Sequence, residues 1–132
     1  MTRTHQKVSA LADVRRKVHT PLSAAIDVEA LFSLLEGRWK LVILFHLFDG
    51  QVRRFSELEQ RVTGISQKML AQQLRQLEAD GLVLRTDHGE SPPRVDYRLT
   101  PWGQALCPAL DALLLWSESP TREAQPVQGS SP

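Results

Sequence analysis

The sequence is poor in cysteine, in long apolar runs and in any excess of charge of one sign. Cys107 is the only cysteine among the 132 residues, which excludes an intrachain disulfide and a cysteine-based metal cluster. The longest apolar run, 41–48, is interrupted by His46 and is far shorter than the roughly 20 residues of a membrane span. Residues 1–10 are polar and resemble no targeting segment. We therefore expect a cytoplasmic protein with no membrane partner.

Charge is nearly balanced over the whole chain but unevenly distributed along it. Lys and Arg number 16 against 15 for Asp and Glu, which gives a formal net charge of +1. This balance disfavours nonspecific binding to a polyanion, although it permits a local basic surface. Residues 1–20 hold five basic side chains and one acidic side chain, a net of +4. The length and a hydrophobic fraction of 42% are typical of a small globular protein with a real core.

Helical periodicity dominates the first third of the chain. Apolar residues about one turn apart predict a basic amphipathic helix over 1–20 that stops near Pro21. A second helix is expected from about Asp27 to Gly37, and a third, almost wholly apolar and therefore buried on all sides, over 38–48.

The middle of the chain carries the signals of two helices joined by a tight turn. Ser56 and Glu59 form a predicted capping box, and this first helix is expected to end before Gly64. Ser66 is the predicted N-cap of a second helix over 66–79. Two helices joined by a short turn that contains glycine are typical of a helix-turn-helix, whose second helix enters the DNA major groove.

After this pair the apolar pattern changes to a period of two. Leu82 and Leu84 are expected to share one face of a strand, and a second strand alternates with Val95, Tyr97 and Leu99 on one face. Residues 82–99 therefore predict a β-hairpin wing. Thr100 and Pro101 then begin a helix over 101–116, followed by a disordered tail over 117–132. The expected fold is mainly α with a small β-hairpin wing, a winged helix-turn-helix of about five to six helices in a domain over 21–116.

The predicted recognition helix 66–79 has one apolar face and one polar face without acids. At 100° per residue, Leu70, Leu74 and Leu77 form the buried stripe. The opposite face suits base readout, because Gln bonds an adenine edge and Arg or Lys bonds guanine. The candidate DNA-binding residues are Ser66, Gln67, Lys68, Gln72, Arg75 and Gln76, together with Arg94 on the wing.

Several alternatives remain open. A solvated helix also uses Gln and Lys, which are good helix formers. Cross-strand ion pairs with Asp87 and Asp96 could occupy the wing arginines; we expect such a pair for Arg98 and DNA contact for Arg94. An enzyme is disfavoured because the four histidines are scattered, and we expect no catalytic residue, metal or cofactor. The main alternative function is a winged-helix module for protein-protein interaction without specific DNA binding, although its helix would usually present apolar anchors.

Several segments occur in order and at characteristic spacing, namely GRWK at 37–40, IL at 43–44, RFSEL at 54–58, GISQKML at 64–70, LRQLEADGLV at 74–83 and VDYRLTPWG at 95–103. Together they resemble the HxlR family of bacterial winged helix-turn-helix regulators, which share their architecture with MarR-type regulators. The similarity covers about residues 27–116. It implies a transcription regulator, commonly a repressor, that binds a palindromic operator in double-stranded DNA. It also implies control by a small-molecule effector, which the sequence does not identify.

The resemblance further implies a homodimer, built largely by the N-terminal and C-terminal helices. The residues predicted at this interface are Leu11, Leu106, Leu110, Leu113 and Trp116. One recognition helix covers only a few base pairs, which independently favours a dimer on two half-sites. The basic helix over 1–20 is expected to serve dimerisation or to flank the DNA. Trp116 could instead, or in addition, fold back on Trp39 and Phe48.

Several members of the family sense electrophiles or oxidants through a cysteine shortly before the Gly-Lys/Arg-Trp motif. This chain has Ile26 about thirteen residues before Trp39, and thiol switching at that position is therefore not expected. Cys107 lies among apolar residues of the last helix, where a cysteine usually behaves as an inert small hydrophobe. A dimer joined by this helix could bring Cys107 near its symmetry mate, which leaves a redox role open.

Overall fold

The structure, a computed structural model, describes residues 17–120, which form five helices and three short strands. The chain divides between Gly37 and Arg38 into two compact units. The prediction of a mainly α fold with a small β wing is confirmed. The helix expected over 1–20 lies outside the described residues except for 17–20, which are not helical, and most of the expected tail also lies outside them.

The first unit contains the helix α1 (Pro21–Leu35). The Thr20 hydroxyl accepts a hydrogen bond from the Ser23 amide at 3.1 Å, and the Ser23 hydroxyl accepts one from the Thr20 amide at 2.9 Å. Pro21 occupies the first helical position, which needs no N–H donor. The expectation that a helix starts near Asp27 is therefore wrong, because the Thr-Pro pair begins this helix at Pro21.

The second unit begins with the short helix α2 (Lys40–His46). It is two residues shorter at each end than predicted. Ile43 and Leu44 are fully buried, whereas Val42 and Phe45 are exposed. The prediction of a helix buried on all sides is wrong, because only one face of α2 packs into the core of this unit.

Three antiparallel strands form one sheet in the order β1-β3-β2, namely β1 (Arg53–Arg54), β2 (Val83–Asp87) and β3 (Val95–Leu99). The central strand β3 pairs with β1 at Arg53↔Tyr97 and with β2 at Val83↔Leu99. The predicted hairpin is thus confirmed. The strand β1 is an addition, since the sequence indicated only an extended link there.

The buried face of β2 differs from the prediction by one position. Val83 is buried and Leu84 is exposed, so Leu82 and Leu84 do not share a face. Leu82 precedes the strand and is buried separately, with its carbonyl accepting the Thr100 amide at 3.0 Å. On β3 the predicted alternation is confirmed, because Tyr97 is buried between exposed or half-buried neighbours.

The other helices of this unit are α3 (Phe55–Arg61), α4 (Gln67–Ala79) and α5 (Pro101–Ser117). The capping box predicted for Ser56 and Glu59 is wrong. Glu57 Oε1 instead accepts the Arg54 amide at 2.7 Å, two residues earlier than expected. The start moves because Arg54 is still extended as the last residue of β1.

Two residues tie the first turn of α5 to the hairpin. Thr100 Oγ1 accepts the Gly103 amide at 3.0 Å and donates to the Gly81 carbonyl at 2.7 Å. Gly103 lies directly against the Leu82 carbonyl, where an added Cβ would clash. The predicted start of this helix at Pro101 is confirmed.

The core of the second unit is apolar, and each helix of that unit and the sheet contribute side chains to it. Its most deeply buried side chains are Ile43, Leu44, Leu47, Leu58, Val62, Leu70, Leu74, Leu77 and Val83. No polar or charged residue is buried among residues 17–120. Over the same range, none of the helices combines the length and the apolarity that crossing a membrane requires.

Candidate nucleic-acid interface

A tight turn joins α3 to α4. Val62 and Ile65 are buried at its two ends, and Gly64 between them has a φ of +88°. Glycine suits this position because L side chains rarely adopt a positive φ. Ser66 Oγ then accepts the Met69 amide at 3.0 Å, which confirms the predicted N-cap of α4.

The exposed side of α4 consists of long polar side chains. Leu70, Leu74 and Leu77 are buried as predicted, which turns the opposite side of the helix to the surface. We define the α4 face as the exposed residues Ser66, Gln67, Lys68, Gln72, Arg75 and Gln76. Within the described part of the chain neither Lys68 nor Arg75 forms an ion pair, so both charges are available to an external anion.

Charge along α4 is polarised. The first turn contains no acidic residue, and the acids Glu78 and Asp80 lie at the C-terminal end. The free amides of the first turn add partial positive charge at the end of the helix that carries Lys68. A phosphate would therefore be attracted to the N-terminal half of α4.

The wing carries a compact polar cluster. His88 Nε2 lies 2.7 Å from Asp96 Oδ2, and Arg94 Nη2 lies 3.2 Å from His88 Nδ1. Arg94 Nε is 3.8 Å from the same Asp96 oxygen. We call these three residues the wing cluster. The sequence singled out Arg94 and offered Asp96 as an alternative ion-pair partner of the wing arginines, but the bridging contacts of His88 were not predicted.

The ion pairing of the wing arginines is the reverse of the expectation. Arg94 pairs with Asp96, whereas Arg98 forms no ion pair with any described residue. Arg94 directly precedes β3, and the His88 imidazole lies between Arg94 Nη2, at 3.2 Å, and Asp96 Oδ2, at 2.7 Å. The predicted DNA contact of Arg94 stays a prediction.

The residues predicted at a dimer interface differ in exposure. Leu113 is 43% exposed and Trp116 is 75% exposed, whereas Leu106 is half-buried and Leu110, at 7%, belongs to the core of its own unit. Leu11 lies outside the described residues. Because Trp116 is so exposed, the alternative in which it folds back on Trp39 and Phe48 is wrong. The C-terminal half of α5 thus presents a largely unburied apolar surface.

The single thiol is buried. Burial raises the pKa of Cys107 above its ordinary value, and Sγ makes a long contact of 3.8 Å with Gln104 Oε1. A thiol that stays protonated is a poor nucleophile. This environment agrees with the expected inert hydrophobe.

The histidine of the apolar helix α2 is His46, whose surroundings are those of a structural residue. Burial is the main cause that lowers the pKa of His46, and the positive charges of Arg53 and Arg61 lower it further. Arg53 Nε donates to the His46 carbonyl at 3.0 Å, which connects α2 to β1. No group of His, Cys, Asp or Glu side chains in residues 17–120 is placed to hold a metal ion.

Comparisons with known proteins converge on one kind of protein. A family model described as HxlR-like helix-turn-helix matches residues 34–125. The HTH-type transcriptional regulator YtcD of Bacillus subtilis (strain 168) is 47% identical over 91 residues, which cover 69% of this chain and 71% of YtcD. The crystal structure of a transcriptional regulator of the MarR family from Enterococcus faecalis V583 has a TM-score of 0.73 at 34% identity, covering 83% of this chain and 96% of that one. The reduced form of the regulator YodB from B. subtilis has a TM-score of 0.65 at 35% identity, and the match covers 76% of this chain and 92% of YodB.

Proposed function

Because the chain belongs to the HxlR-like helix-turn-helix family of transcriptional regulators, we propose that it represses transcription by binding a palindromic operator as a homodimer. The observation that carries this proposal is the α4 face, which is exposed, free of acids and rich in hydrogen-bonding side chains. A helix used for protein binding would usually present apolar anchors there.

Each residue of the α4 face has a role that fits its chemistry. Gln72 and Gln76 can bond the adenine edge, and Arg75 can bond guanine with two parallel hydrogen bonds. Lys68 and the N-terminal amides beside Ser66 suit phosphate, since they offer positive charge at the helix start. The glutamines and arginine therefore read sequence, while the N-terminal end sets the position of the helix on the backbone.

A homodimer is supported by the exposed apolar residues. One helix reads only a few base pairs, so a specific site needs a second half-site about one helical turn, roughly 34 Å, away. Leu113 and Trp116 on α5 are exposed, and so are Ile26 and Phe32 on α1. Apolar surface of this extent usually marks an interface. Leu113 and Trp116 carry the proposed contact, with Leu110 supporting them from the core.

Selection of duplexes from a random pool by the purified full-length protein tests this proposal. We expect a palindromic consensus with half-sites one helical turn apart, and an affinity that falls steeply as salt concentration rises. An absence of any enriched sequence would contradict specific DNA binding and would favour the protein-interaction module. A selected site without dyad symmetry would contradict the dimeric operator while leaving DNA binding intact.

The α4 face is tested by single substitutions measured on the selected duplex. Lys68→Ala should weaken binding to all sequences similarly, whereas Gln72→Ala and Arg75→Ala should also relax the preference at one base position, each by roughly 1–3 kcal/mol. The matched control is Gln73→Ala on the same helix, because Gln73 is half-buried and its amide contacts Met69 Sδ at 3.5 Å. Equal losses for Gln72→Ala and Gln73→Ala would refute the assignment of the face.

A further inference from the structure

The wing cluster is held together by the end of the hairpin. The His88 amide donates to the Arg94 carbonyl at 3.0 Å, so these two residues lie opposite each other beyond the last strand pair. Arg94 directly precedes β3, and Asp96, two residues further along the extended chain, turns to the same side. Backbone pairing thus brings an imidazole, a guanidinium and a carboxylate together on the solvent side of the wing.

The hydrogen bonds of the cluster require one form of the imidazole. A guanidinium has five N–H donors and no acceptor, so His88 Nδ1 must accept from Arg94 Nη2. The proton of the ring then lies on Nε2, which donates to Asp96 Oδ2 at 2.7 Å. His88 is therefore the neutral Nε2–H tautomer whenever all three residues are in contact.

The Arg94–Asp96 contact is poorly built for stability. Arg94 Nε is buried without a hydrogen-bond partner, and its 3.8 Å separation from Asp96 Oδ2 is too long for a hydrogen bond. A stabilising arginine-carboxylate pair is usually short and bidentate. The cluster instead holds the Arg94 guanidinium through one hydrogen bond, from Nη2 to His88 Nδ1. Most N–H donors of Arg94 therefore stay unused, as expected of a side chain that binds another partner.

We propose that His88 and Asp96 are positioning residues that hold the Arg94 guanidinium in the orientation in which it binds the DNA backbone or minor groove. This inference rests on the proposed function. A free arginine samples many rotamers, and fixing it before binding removes an ordering cost that the complex would otherwise bear. Asp96 holds the imidazole, and the imidazole holds Arg94.

A double-mutant cycle on the selected duplex tests the inference. Arg94→Ala should weaken binding about 10-fold, and His88→Ala roughly 2- to 10-fold, since it removes only the pre-ordering. In the Arg94→Ala background, His88→Ala should have no further effect. His88→Gln should recover affinity relative to His88→Ala, because an amide both accepts and donates.

Arg98→Ala is the matched control, since it removes a second wing arginine that has no ion pair within the described residues. The effects of Arg98→Ala and His88→Ala should add, because the hydrogen bonds of the cluster do not include Arg98. Additive losses for His88→Ala and Arg94→Ala would overturn the positioning role. So would ¹⁵N chemical shifts of free protein that report the Nδ1–H tautomer for His88.

Failure of this inference differs from failure of the proposed function. If no duplex binds, specific DNA recognition itself is refuted, and the positioning role falls with it. If Lys68→Ala weakens binding to the selected duplex but Arg94→Ala does not, the protein binds DNA through α4 and only the role of the wing cluster is overturned.

Discussion

Replacing Gly103 by alanine should destabilise the second unit, although the same change in a helix usually stabilises a protein. Alanine gains about 1 kcal/mol over glycine in a helix interior. At Gly103, however, the new Cβ would clash with the Leu82 carbonyl and lie 3.2 and 3.3 Å from Leu99 Cβ and Cδ2. The carbonyl is backbone and already accepts the Thr100 amide at 3.0 Å, so it cannot move freely.

The magnitude follows from these two opposing effects. Forcing an extra carbon into a packed site costs typically about 1–3 kcal/mol and sometimes more. Here the carbon meets backbone, which places the cost at the upper end of that range. The helix gain offsets at most about 1 kcal/mol, because Gly103 lies in the first turn of α5 rather than in its interior. We expect Gly103→Ala to lower the free energy of unfolding by about 2 kcal/mol, with a fall in Tm of roughly 8–16 °C for a unit of this size.

Urea unfolding followed by tryptophan fluorescence, at one fixed protein concentration, measures this change. Ala105→Gly is the control, because Ala105 is exposed on the same helix and should lose only the helix-propensity difference of about 1 kcal/mol. A Gly103→Ala protein as stable as the wild type or more stable would refute the packing argument, since helix propensity alone would then explain the result.

Two further predictions concern titratable groups whose pKa is shifted mainly by burial. Because the pKa of His46 is lowered in the folded state, mainly by burial, unfolding takes up a proton there, so stability should fall as the pH drops below about 6.5. His46→Gln should flatten this dependence in urea unfolding between pH 5 and 7.5, and an unchanged slope would contradict it. Burial raises the pKa of Cys107, so a thiol reagent at pH 8 should react with it far more slowly in the native protein than in urea. Equally fast reaction in both would show that this thiol is accessible.

The parts of the fold that could be predicted from the sequence are those encoded over a few neighbouring residues. The apolar stripe of α4, its Ser66 cap and the alternation of β3 are local patterns, and the structure confirms them. The start of α1 was missed although its signal is local, because Thr20-Pro21 carries the same Thr-Pro pair that correctly marked the start of α5. The candidate DNA-binding residues stay a prediction, and their exposure supports it.

The parts that could not be predicted depend on pairing between distant segments. The two residues of β1 have no periodicity of their own and become a strand only through pairing with β3. That pairing also moved the start of α3 by keeping Arg54 extended. The need for glycine at position 103 arises from the approach of α5 to the Leu82 carbonyl, which is twenty-one residues away in the chain.

The sequence by itself determined the kind of protein, because helix caps, apolar periodicity and family motifs are all read along the chain. Only the tertiary structure decided how its charged side chains are paired. The partners of His88 lie six and eight residues away, and whether they meet depends on strand register and on the face to which each side chain turns. A shift of one position would separate the imidazole from both partners, because neighbouring residues of a strand lie on opposite faces.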